Sequence, residues 1–63
     1  MKNLIHQKCN EKNISQSWVA ERSGISRSYL NKIANGHRDP HVSTAIKIAN
    51  TLKCSIEDLF ILD

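Results

Sequence analysis

Residues Ile14 to Gly36 read ISQSWVAERSGISRSYLNKIANG, and two near-identical openings sit inside that stretch. Ile14-Ser15-Gln16-Ser17-Trp18-Val19 places Ser15 at a helix N-cap, with Ile14 and Val19 spaced as a hydrophobic staple. Ile25-Ser26-Arg27-Ser28-Tyr29-Leu30 repeats the arrangement with Ser26 as the cap and Ile25 and Leu30 as the staple. Gly24 closes the first helix and Asn35-Gly36 the second, because glycine takes the left-handed C′ conformation without a Cβ clash. Helix two therefore ends near Ser23, and helix three begins at Ser26 or Arg27 and runs to about Asn35. Two short amphipathic helices on so tight a turn must cross steeply.

Such a crossing is the helix-turn-helix arrangement, here over about residues 15–35, although an αα-hairpin within another bundle fits the same spacing. Working outward, residues 2–11 form a first helix, with Ile5 and Cys9 one turn apart. Pro40 breaks the loop after Gly36, and His41 to Lys53 forms a fourth helix with Val42, Ala45, Ala49 and Leu52 on one face. Ser55-Ile56-Glu57-Asp58 opens a short final helix carrying Leu59 and Phe60. No segment alternates like a strand. The expected fold is all-α, a compact five-helix domain spanning residues 1–63.

Charge and the exposed face of helix three suggest a partner. The chain carries nine Lys and Arg against six Asp and Glu, a formal +3. All nine bases fall within residues 1–53 beside only Glu11, Glu21 and Asp39, whereas residues 54–63 hold Glu57, Asp58 and Asp63. A basic body suits a polyanion, and the acidic end should face away from it. At 100° per residue, Leu30, Ile33 and Ala34 share one side of helix three. Ser28 and Lys32 centre the other, flanked by Asn31, Asn35 and Tyr29, with Arg27 free at the first turn. No carboxylate occurs from Arg22 through Arg38, where an ordinary solvated face would include one. Arg and Asn side chains meet the guanine and adenine edges of a major groove bidentately.

Other classes fare worse. Sixty-three residues make one small domain without space for a substrate cleft or a sensor domain. The longest apolar run, Leu59-Phe60-Ile61-Leu62, falls far short of the ~20 residues that cross a bilayer. No secretory signal is visible, so the Asn13-Ile14-Ser15 sequon carries no meaning and a Cys9–Cys54 disulfide is not expected. His6-x2-Cys9 and His37-x3-His41 have ligand-like spacing, but the Cys-x2-4-Cys half of a structural zinc site is missing, so no metal is expected. His37-Arg38-Asp39 spells a kinase catalytic-loop fragment without any other kinase element. Neither an enzyme nor a cofactor is expected.

These residues resemble the phage-repressor and Cro-like (Xre) family of helix-turn-helix domains. The likeness rests on Ser15-Gln16, Val19-Ala20, Gly24, Ser26, Asn35-Gly36, Pro40, and Leu52 followed by Ser55-Ile56-Glu57-Asp58-Leu59, and it covers nearly the whole chain. It implies a lambda-repressor-like fold whose recognition helix, about residues 26–35, enters the major groove. By position, the resemblance assigns base edges and adjoining phosphates to Arg27, Ser28, Tyr29, Asn31 and Lys32. It assigns the sugar-phosphate backbone to Gln16, Ser17, Asn35, His37 and Arg38. The implied function is a sequence-specific regulator of transcription on duplex DNA, a repressor, acting as a homodimer on a near-palindromic operator. Its setting would be the cytoplasm of a prokaryote or a phage-type element, with no membrane and no small-molecule effector.

The chain departs from the family pattern at four positions. Trp18 stands where a capping glutamate is usual, and Lys53 where a C′ glycine is usual. The family often pairs an arginine at Cys9 with a glutamate at Ala34, and both are absent together. Losing a buried ion pair as a unit is tolerable, whereas losing one member is costly. Ile61 and Leu62 remain over once Ile56, Leu59 and Phe60 fill the core, and they are expected to join two copies. The competing functional reading is a protein-interaction module of the antitoxin or coactivator type, with Trp18 and Tyr29 as its patch.

Overall fold

Serine begins three of the helices in the structure, a computed structural model that describes residues 2–61. Ser15 Oγ accepts from the Trp18 amide at 3.1 Å, Ser26 Oγ from the Tyr29 amide at 3.0 Å, and Ser55 Oγ from the Asp58 amide at 3.1 Å. These caps start α2 (Gln16–Ser23), α3 (Arg27–Ala34) and α5 (Ile56–Leu59). Helix α1 covers Ile5–Lys12 and α4 covers Val42–Thr51. Trp18 thus costs the cap its reciprocal glutamate but leaves the serine half intact.

The first four helices end in one way. The amides of Asn13, Gly24, Gly36 and Lys53 bond back three residues, and those of Ile14, Ile25, His37 and Cys54 bond back five. That pair of bonds is the Schellman motif, and it requires a left-handed C′ residue. The φ angles are 57° at Asn13, 72° at Gly24, 79° at Gly36 and 54° at Lys53. Lys53 therefore adopts the conformation that glycine would take there. Three connectors share one design, since Asn13-Ile14-Ser15, Gly24-Ile25-Ser26 and Lys53-Cys54-Ser55 each join a left-handed residue to a core-packed apolar one and a serine cap.

Four departures from the expected elements appear. Lys2–Asn3 forms β1 rather than the start of α1, and Phe60–Ile61 forms β2 rather than the end of α5. The two strands pair antiparallel, Lys2 with Ile61 and Asn3 with Phe60, and the Leu4 amide extends the contact to the Leu59 carbonyl at 2.8 Å. Asn3 secures the junction: its Nδ2 donates to the Ile33 carbonyl at 2.8 Å, and its Oδ1 accepts from the Ile5 amide at 3.1 Å. Helix α4 is shorter than expected, and Val42 at its first turn is 75% exposed, next to the exposed loop before it. The buried face of α4 is Ala45, Ile48 and Ala49, continued by Leu52. A five-helix fold with one two-stranded ribbon results.

The core draws on every helix: Ile5 and Cys9 from α1, Val19 and Ala20 from α2, Leu30, Ile33 and Ala34 from α3, Ala45, Ile48 and Ala49 from α4, and Leu59 from α5. Leu52 and Phe60 complete it. Fully burying a side chain the size of Leu30 or Ile48 contributes about 1.5–3 kcal/mol. The buried Ser23 is satisfied, since its Oγ shares a hydrogen bond with Thr51 Oγ1 at 3.3 Å, linking α2 to α4. Cys9 and Cys54 are free thiols, and burial pushes both above the ordinary thiol range. Helix α3 is thereby clamped from behind, with its opposite face presented outward.

Candidate nucleic-acid interface

The outward side of the helix-turn-helix is concave. Gln16 and Ser17, from the first turn of α2, and Arg27, Ser28 and Asn31, from α3, line one depression of about 690 Å³. Two caps produce this proximity. Ser15 and Ser26 fix the amino ends of both helices, and the Gly24 turn sets α2 against α3 with only Gly24, Ile25 and Ser26 between them. Helix amino ends present amides that favour anions, and two such ends meet at this depression.

Of the residues expected to read bases, Arg27, Ser28 and Asn31 line this depression, and all three are exposed. Lys32 is exposed on α3 but outside the lining. Tyr29 is half-buried, packs against the core, and lies beneath the Arg38 guanidinium, 5.6 Å from its ring centroid. Arg38 and His37 belong to the exposed loop after Gly36, whose first amides bond back to the Lys32 carbonyl. That loop stays close to the carboxyl end of α3. Ile61 lies elsewhere, on a surface shared with Ala34, Asn35 and Gly36, and is 41% exposed. Leu62 falls outside the described residues.

One participant escaped the sequence reading. His6, exposed on α1, sits between the two helices of the motif. Its Nδ1 meets Gln16 Nε2 at 2.6 Å, and its Nε2 meets Asn35 Oδ1 at 3.0 Å. Asn35 Nδ2 in turn donates to Asn31 Oδ1 at 3.2 Å. In the sequence His6 stands out only for its ligand-like His6-x2-Cys9 spacing, which lacks the rest of a zinc site. Among the described residues no group of three or more His, Cys, Asp or Glu is placed to hold a metal ion. No helix among them is long and apolar enough to cross a membrane.

Comparison with known proteins gives this geometry a family. The helix-turn-helix profile matches residues 5–59. The chain belongs to the Cro/C1-type helix-turn-helix family. This is a family of DNA-binding transcription regulators and not of enzymes. The helix-turn-helix chain is 35% identical over 63 residues to an uncharacterized HTH-type transcriptional regulator of Methanocaldococcus jannaschii, covering 100% of this chain and 96% of that protein. It is 41% identical over 46 residues to the ImmF control region 10 kDa protein of Bacillus phage phi105, covering 73% and 51% respectively. An uncharacterized HTH-type transcriptional regulator of Mycobacterium tuberculosis is 38% identical over 48 residues, 76% of this chain, and the match spans only 34% of that longer protein. Among solved structures, the restriction-modification controller protein C.AhdI from Aeromonas hydrophila superposes with a TM-score of 0.83 at 28% identity. That likeness covers 89% of this chain and 85% of the other. The five-helix helix-turn-helix fold is thus shared.

Proposed function

We propose that this helix-turn-helix protein reads a specific duplex sequence with α3 in the major groove, acts as a homodimer, and represses transcription from a near-palindromic operator. The observation that carries the reading is the concavity that joins Gln16 and Ser17 to Arg27, Ser28 and Asn31. Arg27 and Asn31 suit guanine and adenine edges, while Gln16, Ser17, Asn35, His37 and Arg38 suit the flanking phosphates. Tyr29 and Lys32 sit beside the reading face, Tyr29 steadied by Arg38.

Size argues for two copies. The Cα atoms extend 28 Å along the longest axis, less than the roughly 34 Å that separates half-sites on successive turns of one DNA face. Ile61 and Leu62 are the residues assigned to the contact between copies. Repression asks least of such a body, since occupying an operator excludes other proteins from the same DNA.

Selection of bound sites from a random duplex pool tests the reading. The wild type should enrich a near-palindrome with half-sites about one turn apart, and the Ile61→Ser, Leu62→Ser double variant should return single half-sites. Affinity for the enriched duplex should fall with salt at a log–log slope of roughly −0.9 per phosphate neutralised. No enrichment and a flat salt response would support the protein-facing alternative. Trp18 favours that alternative: it is 39% exposed with the Arg22 guanidinium 4.7 Å from its ring.

A further inference from the structure

Gln16, His6, Asn35 and Asn31 form a directional chain of hydrogen bonds across three helices. Its direction is set by the way the three amides are turned. Gln16 Nε2 is an amide NH2 and only donates, so His6 Nδ1 must be the bare, accepting nitrogen. Asn35 Oδ1 only accepts, so His6 Nε2 must carry the proton. With the amides so turned, the ring carries its hydrogen on Nε2 and presents Nδ1 as the acceptor. Asn35 then has its Nδ2 turned to Asn31 Oδ1, which leaves the Nδ2 hydrogens of Asn31 outside the chain.

We propose that His6 is a positioning residue for DNA reading, which couples the amide polarity of Gln16, Asn35 and Asn31. The proposal rests on the duplex-binding reading above. Asn31 and Gln16 line the same concavity, so the chain orients two of its five side chains at once. Turning over the Asn35 amide alone would set donor against donor at His6 and acceptor against acceptor at Asn31. Asn31 is held with its carbonyl oxygen toward Asn35 and its NH2 free for a base acceptor such as adenine N7. Gln16 keeps one amide hydrogen for His6 and has a second for a phosphate. Without His6, the Asn35 and Gln16 amides lose their shared reference and Asn31 is free to invert.

The test has two arms. In the free protein at pH 8, nitrogen NMR of the His6 ring should show the Nε2–H tautomer; an Nδ1–H tautomer overturns the chain. On the duplex selected by the wild type, and on its single-base variants, His6→Ala should lose discrimination about tenfold at one base pair per half-site. The affected base pair should be the one that Asn31→Ala relaxes, on top of a uniform loss through the Gln16 and Asn35 phosphate contacts. His6→Gln, whose amide supplies one acceptor and one donor, should retain the discrimination. Equal loss on selected and random DNA with discrimination intact, or loss at a base pair unrelated to Asn31, contradicts the positioning role. If the wild type discriminates and a folded His6→Ala discriminates equally well, only the role of His6 fails. If the wild type enriches no duplex at all, the DNA reading fails and the role of His6 fails with it, whatever the tautomer.

Discussion

Cys9 and Ala34 are both buried in one core cluster, 4% and 9% exposed, at the positions where related domains often hold an arginine and a glutamate. Close by, His6 on α1 bonds to Asn35, the residue that follows Ala34 at the end of α3. Small apolar groups at both positions avoid desolvating an ion pair, a replacement that is often neutral or stabilising. Ala34→Glu alone should then bury an unpaired carboxylate and destabilise the fold by about 3 kcal/mol. Adding Cys9→Arg should recover much of that loss in chemical denaturation. A double variant no more stable than Ala34→Glu would mean that the two side chains do not meet. The joint absence of arginine and glutamate is visible in the sequence because both positions depart from one pattern together. The bonds of His6 were not visible, since its partners lie 10 and 29 residues away and only packed helices bring them within reach.

At the level of elements, the serine caps and the glycine turns are legible in the sequence, whereas the left-handed ends at Asn13 and Lys53 are not. A serine cap, a glycine C′ and a staple act within five residues, so Ser15, Gly24, Ser26, Gly36 and Ser55 marked their boundaries directly. The ribbon could not be read that way. Each strand is two residues long, too short to alternate, and forms only because the fold brings the residues around Leu4 and Leu59 together. Val42 shows the same limit: helical periodicity places it beside Ala45 and Ala49, but burial depends on what covers the first turn of α4. Lys53 offers a quantitative check. Its φ of 54° and its exposure mean that a Cβ is strained there with no packing to compensate. A left-handed non-glycine residue costs roughly 1–2 kcal/mol. Lys53→Gly should therefore stabilise the protein by about 1 kcal/mol in urea denaturation, after the added freedom of the unfolded glycine is subtracted. An unchanged or lower midpoint would contradict the Schellman account of this turn.

For the whole molecule, the helices serve to hold one surface. The core packs behind α3 through Leu30, Ile33 and Ala34, while Arg27, Ser28 and Asn31 project from it beside the amino end of α2. Charge adds to the geometry, since no acidic residue occurs from Arg22 through Arg38 to repel a phosphate backbone. On this account the surface reads bases and does more than attract DNA. Base reading is tested most directly by titrating wild-type and Arg27→Ala proteins against the selected duplex, its single-base variants and a random duplex. Arg27→Ala should weaken binding to the selected duplex by about 1–3 kcal/mol and erase the preference at one base pair per half-site, with random DNA bound nearly as before. An equal loss on every duplex would make Arg27 a phosphate contact and contradict the assignment of α3 as the reading helix.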